Sequence, residues 1–112
     1  MHGNNVSSLT PLQHLTNLKI LYIDTILPLE PIKSLVNLES LGCKVDEISM
    51  LKPLENLNNL KWLNCGYSKI TSLEPIYNLK NLLSLNCSST HMKSLESIKD
   101  LTNLVQLTCS RG

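Results

Sequence analysis

The motif Leu-x-Asn-Leu occurs five times, at 15–18, 35–38, 57–60, 79–82 and 101–104. The first two copies start 20 residues apart and the later ones 22 apart. A fixed period of this length specifies a solenoid, in which one supersecondary unit stacks on copies of itself. The composition fits. Leucine supplies 24 of the 112 residues, and alanine and phenylalanine supply none, as expected of a core that reuses one position. A hydrophobic share of 42% argues against disorder. No apolar run approaches the ~20 residues of a membrane span. The chain reads as one domain, 1–112, with a partial repeat over 1–14 and repeats starting near 15, 35, 57, 79 and 101, the last incomplete.

Stacking the chain on its period gives columns. After each motif, one column pair reads Leu21/Ile23, Leu41/Cys43, Leu63/Cys65, Leu85/Cys87 and Leu107/Cys109. Alternation with the residues between them predicts a strand that faces these pairs inward and pairs in parallel with the strand one repeat away. Three residues beyond the Cys column stand Asp46, Ser68 and Thr90, with Asn4 in the opening partial repeat. Such side chains bond the backbone where a chain leaves a sheet. Ile26 stands nearest this column in the short repeat and cannot, so an irregularity is expected over 24–27.

The return segment carries Ile48, Ile70 and Met92, then Leu51, Leu73 and Leu95. Next come Pro11-Leu12, Pro31-Ile32, Pro53-Leu54, Pro75-Ile76 and Ser97-Ile98. Proline suits the first position of a short helix, because its φ is preset and its missing N–H would be unpaired there. One or two turns of 3-10 or α-helix per repeat are expected. Asn17, Asn37, Asn59, Asn81 and Asn103 then fall between helix and strand, where asparagine tolerates left-handed φ and bonds turned backbone.

From about Asn4 to Cys109 these columns resemble the leucine-rich repeat family, in its 22-residue internalin-type and phosphatase-1-regulator-type forms. The resemblance implies an α/β fold: a right-handed, curved solenoid with a five-stranded parallel sheet on the concave face and short 3-10 or α turns on the convex face. Cysteine in the inner strand column and Asp, Ser or Thr in the ladder depart from the family pattern. Function is less constrained, because such repeats serve adhesins, phosphatase scaffolds and effectors alike.

Features that suggest catalysis have structural readings. Cys43, Cys65, Cys87 and Cys109 are 22 residues apart and share one column. Neighbours on adjacent strands sit roughly 4.8 Å apart with parallel side chains. A disulfide prefers Cβ atoms about 3.8 Å apart, and a line of thiols is not a zinc tetrahedron. Reduced, buried filler is the favoured reading; an oxidised neighbouring pair or a reactive Cys109 is the alternative. His2, His14 and His91 occupy unrelated columns, and Gly3, Gly42, Gly66 and Gly112 form no G-x-G loop. The chain reads as a non-enzyme with no cofactor and no metal.

What remains is a surface. The outward strand residues are Ile20, Tyr22 and Asp24; Ser40, Gly42 and Lys44; Trp62, Asn64 and Gly66; Ser84, Asn86 and Ser88; and Gln106, Thr108 and Ser110. Trp62, the chain's one tryptophan, lies on this face with Tyr22 two strands away, Tyr67 at the rim and a shallow gap at Gly42. That composition fits a protein-binding hot spot; packing of Trp62 over Lys44 is the competing reading. Candidate contacts are Tyr22, Asp24, Lys44, Trp62, Asn64, Tyr67, Asn86 and Gln106. Leu83 and Val105 replace Lys19, Glu39 and Lys61 in their column, giving a secondary apolar flank or tolerated variation.

The net charge of +1 with lysines set singly offers no basic stripe for nucleic acid and no polybasic membrane patch. The first repeat lacks its strand and the last its return, so the chain is either a fragment or small copy of a larger array or self-associates through uncapped terminal strands, and self-association is the expectation. No signal peptide is legible, and with four reduced cysteines this favours an intracellular, cytoplasmic location. The leading expectation is a non-catalytic module binding a protein partner on its concave sheet. The alternatives are an extracellular internalin-like adhesin fragment and a structural or self-assembling unit with no dedicated ligand.

Overall fold

In the computed structural model of the chain, which describes residues 6–88 and 90–109, the five expected strands form one parallel sheet in sequence order. They are β1 (Ile20–Ile26), β2 (Ser40–Lys44), β3 (Trp62–Asn64), β4 (Ser84–Asn86) and β5 (Gln106–Thr108). Two rows of outward side chains cross the sheet in register. One is Ile20, Ser40, Trp62, Ser84 and Gln106; the other is Tyr22, Gly42, Asn64, Asn86 and Thr108. Between them the central row of Leu21, Leu41, Leu63, Leu85 and Leu107 faces the core. Leu41, Leu63 and Leu85 are buried, as are Cys43, Cys65 and Cys87, while Leu21 is half-buried. Leu107 is 43% exposed and Cys109 is exposed, contrary to the inward expectation. Among the described residues β5 has a strand on one side only, so its apolar side chains lack half their packing.

The irregularity expected over 24–27 is present, and it is a register shift. Tyr22 pairs with Gly42, but the next pair is Ile26 with Lys44, so four steps on β1 oppose two on β2. The short repeat therefore lengthens its strand and shortens the segment between Leu21 and Leu29. Leu27 of this segment is buried, as is Ile70 in a longer copy, while Ile48 and Met92 are half-buried.

The returns explain the leucine count. In each, apolar residues recur every three positions: Leu29-Ile32-Leu35-Leu38, Leu51-Leu54-Leu57-Leu60 and Leu73-Ile76-Leu79-Leu82. A 3-10 helix has three residues per turn, so side chains at i and i+3 eclipse and share one face. The backbone follows the same step. Ile32, Leu35 and Leu38 each donate an N–H to the carbonyl three residues back, and Ile76, Leu79 and Leu82 do likewise. The 3-10 segments are Thr10–Leu12, Glu30–Ser34, Ile48–Leu54, Glu74–Ile76 and Glu96–Ile98, with proline as the second residue of three and Pro53 inside a fourth. All twelve residues of those three returns are buried, each contributing on the order of 1.5–3 kcal/mol of apolar burial.

Two polar columns differ from expectation in detail. The Asn column keeps negative φ, since Tyr67 is the one described non-glycine residue with positive φ. Its amides instead bridge repeats. Asn37 Nδ2 donates to the Thr16 carbonyl at 2.7 Å, Asn59 to Val36 at 2.9 Å, Asn81 to Asn58 at 2.7 Å and Asn103 to Lys80 at 3.0 Å. In the ladder column Ser68 Oγ accepts the Val45 N–H at 3.2 Å and Thr90 Oγ1 donates to the Cys87 carbonyl at 2.7 Å. Asp46 is exposed and joins no such bond among the described residues. Asn4 lies outside the described residues, as do His2, Gly3, Ser110 and Gly112.

Candidate functional site

The concave face is organised by one close approach. Gly42 has no side chain, and the Tyr22 ring of the neighbouring strand lies over it: a Cβ built at Gly42 would stand 2.7 Å from Tyr22 Cδ1. The expected gap at Gly42 is therefore filled. Lying flat, Tyr22 brings its hydroxyl to Ser40, with Oη and Oγ 2.9 Å apart. Ser40 is buried between exposed Ile20 and Trp62 in the adjacent row. Tyr22 still shows 70% of its surface to solvent, and Trp62 shows 45%. Lys61 Nζ stands 6.0 Å from the Trp62 ring centroid, so the cation over the indole is its chain neighbour and not Lys44. Ile20, Tyr22 and Trp62 thus flank one buried hydroxyl. Ile20 reads as outward in the sequence, but nothing there marks it as a contact.

Beside this group lies an open hollow of about 190 Å³, lined by Tyr22, Asp24, Gly42, Lys44, Asn64, Gly66 and Tyr67 together with Ile23 and Cys43. It unites five of the candidate contacts. Trp62 stands one row away, Asn86 one strand further and Gln106 at β5. The register shift displaces Asp24 from the place opposite Lys44, which Ile26 takes. Three ion pairs occur among the described residues, Glu30 with Lys33, Lys52 with Glu55 and Glu96 with Lys99, all exposed and all on the returns. Asp24 and Lys44 are in none of them. The other glycine of the hollow is also tightly placed: a Cβ at Gly66 would stand 3.1 Å from the Ser88 carbonyl oxygen.

Asn64 and Asn86 do more local work than their outward positions suggest. Asn64 Oδ1 accepts the Gly66 N–H and Asn86 Oδ1 the Ser88 N–H, each at 2.9 Å. Each turns its strand out of the sheet through a side-chain-to-backbone bond two residues on. Immediately after this turn Tyr67 sits at φ 59°, with its N–H donated to the Ser88 carbonyl at 2.8 Å and its ring 77% exposed. A bulky side chain in left-handed backbone costs roughly 1–2 kcal/mol. On the secondary flank Leu83 is half-buried and Val105 is 82% exposed.

A second, more apolar hollow of about 360 Å³ adjoins the first through Tyr22 and Asp24, with Val6, Leu9, Leu12 and Leu21 in its wall. No motif in the sequence marks it. Burial pushes the thiols of Cys43, Cys65 and Cys87 each up to about 12. All four cysteines are free. Among the described residues no three His, Cys, Asp or Glu side chains gather as metal ligands, and no helix is long and apolar enough to cross a membrane.

Comparison with known proteins places this architecture. No protein-family model and no curated protein matches the sequence. Solved structures do. An internalin, InlF of Listeria monocytogenes, superposes with a TM-score of 0.68 at 28% identity, covering 96% of this chain and 38% of its own. The chain has an internalin-like leucine-rich-repeat fold. A second internalin from that organism, InlC2, superposes with a TM-score of 0.61 at 22% identity, over 93% of this chain and 59% of its own. The internalin-like chain thus spans less than two thirds of each. Its parallel sheet and 3-10 returns are those of a leucine-rich-repeat solenoid.

Proposed function

We propose that this chain is a non-catalytic protein-binding module whose partner docks on the concave sheet around Ile20, Tyr22 and Trp62. One observation carries the reading: Tyr22 is largely exposed, yet it is held by Gly42 beneath its ring and Ser40 at its hydroxyl. Immobilising a free side chain on binding costs roughly 0.5–1.5 kcal/mol. A ring already fixed in the unbound chain avoids much of that cost. Exposed aromatic groups of this kind dominate binding hot spots. Asp24, Lys44, Asn64 and Tyr67 supply a polar rim, Asn86 and Gln106 extend it, and Leu83 and Val105 offer a flank contact. The net charge of +1 supports a protein partner over nucleic acid.

The test compares proteins captured by the immobilised chain with those captured by Tyr22→Ala, Trp62→Ala and a return-segment control, Lys93→Ala. The expected result is a set kept by the control and lost by both aromatic variants. Equal capture by all four proteins, or no specific capture by any, would overturn the assignment.

A further inference from the structure

We propose that Cys87 and Cys109 form a redox site, a dithiol that closes to a cross-strand disulfide on meeting a low-molecular-weight disulfide. Asn86 pairs with Thr108, and the Cys87 N–H donates to the Thr108 carbonyl at 2.8 Å. The two cysteines therefore sit side by side, one place beyond the last ladder pair. Cys87 Sγ donates a hydrogen bond to Cys109 Sγ at 3.1 Å. That is shorter than the ~3.5–4.0 Å at which even carbon atoms pack best. Among the described residues this is the one thiol pair in such contact, although Cys43, Cys65 and Cys87 occupy the same column. Neighbouring strands stand roughly 4.8 Å apart, within the Cα spacing of about 4.4–6.8 Å that a disulfide spans.

Exposure divides the labour. Cys109 is exposed and Cys87 is buried, so a reagent meets Cys109 first. The Cys109 thiol loses its proton and its sulfur attacks one sulfur of the reagent disulfide. That S–S bond breaks and one reagent thiol leaves. Cys87 then loses its proton and attacks the Cys109 sulfur in the mixed disulfide, whose S–S bond breaks and releases the second reagent thiol. Two protein thiols are oxidised and one reagent disulfide is reduced to two thiols. The second step is the slow one. Burial, with the hydrogen bond to Cys109 adding to it, pushes the Cys87 thiol up to about 12, so little thiolate exists near neutrality. Below that value its thiolate fraction grows about tenfold per pH unit.

The experiment incubates the folded chain with glutathione at stepped ratios of reduced to oxidised form and follows intact mass, quenched by acid. A peptide map of the product locates the bond. The expected sequence is an adduct of one glutathione on Cys109, followed by loss of that glutathione to give a monomer lighter by two hydrogens and linked between Cys87 and Cys109. Closure should accelerate several-fold per unit from pH 7 to 9. Cys109→Ser, altered at an exposed position, should abolish both species. A wild-type adduct that never closes, a link between two chains in place of the internal one, or a bond that maps to Cys43 or Cys65 would each overturn the proposal.

Discussion

Adding one methyl group at Gly42 should reverse its effect on stability according to what stands at position 22. The Gly42 backbone is not in the left-handed region, so alanine fits the strand itself. In isolation Gly42→Ala should stabilise by about 0.5–1 kcal/mol, because it removes the extra freedom glycine has when unfolded. In the wild type the new Cβ meets Tyr22 Cδ1 at 2.7 Å and the ring must swing away. That breaks the 2.9 Å Tyr22–Ser40 hydrogen bond, worth about 0.5–1.5 kcal/mol, and leaves the buried Ser40 hydroxyl to find another partner at a cost of about 1–3 kcal/mol if it fails. The net expectation is a loss of about 1 kcal/mol. In a Tyr22→Ala background nothing clashes and the gain remains. Urea unfolding of the four proteins in a double-mutant cycle should therefore give a coupling energy of about 1–2 kcal/mol and a change of sign. If Gly42→Ala is neutral in the wild type, or costs the same in both backgrounds, Tyr22 is not held as described. The held ring would then no longer support the binding reading.

Leu63→Ala should cost about 2–5 kcal/mol by chemical denaturation, since Leu63 is buried; the adjacent Trp62→Ala should cost about 1 kcal/mol or less, a half-exposed ring with one cation near it. Tyr67→Gly should be neutral or stabilising by up to about 1 kcal/mol, since it relieves left-handed strain at an exposed side chain; a clear loss in thermal melts would show that the ring packs. Alkali should destabilise the fold through its buried thiols. Cys43 and Cys65 keep their protons up to about 12 when folded and lose them from 9.0 when unfolded. Between those values the unfolded chain binds fewer protons, so their contribution is intact below pH 9 and falls as pH rises, by about 1.4 kcal/mol per unit for each. Cys65→Ala should flatten the decline of stability between pH 9 and 11, and an unchanged slope would refute the assignment.

The columns of the sequence carried the strands, their parallel pairing and the burial of Cys43, Cys65 and Cys87, because a period repeated five times averages out local ambiguity. Where the repeat breaks, the same reasoning located trouble without resolving it. Ile26 pointed to 24–27, but a column gives positions, and whether a strand bulges or a loop shortens depends on packing against the neighbour. At Gly42 the missing side chain read as a gap. A long tyrosine one strand away can lie over such a place, and no one-dimensional pattern records its rotamer. Asn64 and Asn86 read as contact residues because they face outward. Their carboxamide oxygens also bond the N–H two residues on, a local role visible only once the backbone turns. Five of the eight candidate contacts do meet in one hollow. Trp62 stands beside it, and Asn86 and Gln106 lie further along the sheet.

The three-residue step of the returns gives them something like a reading frame. From Leu29 to Leu38, Leu51 to Leu60 and Leu73 to Leu82, each side chain reaches the core because its backbone bond and its leucine share one count. Inserting or deleting one residue inside such a stretch rotates every later leucine of that return by about a third of a turn, away from the core. A change of three residues leaves the phase intact. Each strand then sets the count afresh, since its own alternation starts again from the sheet. The natural two-residue deletion falls between Leu21 and Leu29, ahead of the counted stretch, where it costs a register shift in β1 and no leucine downstream.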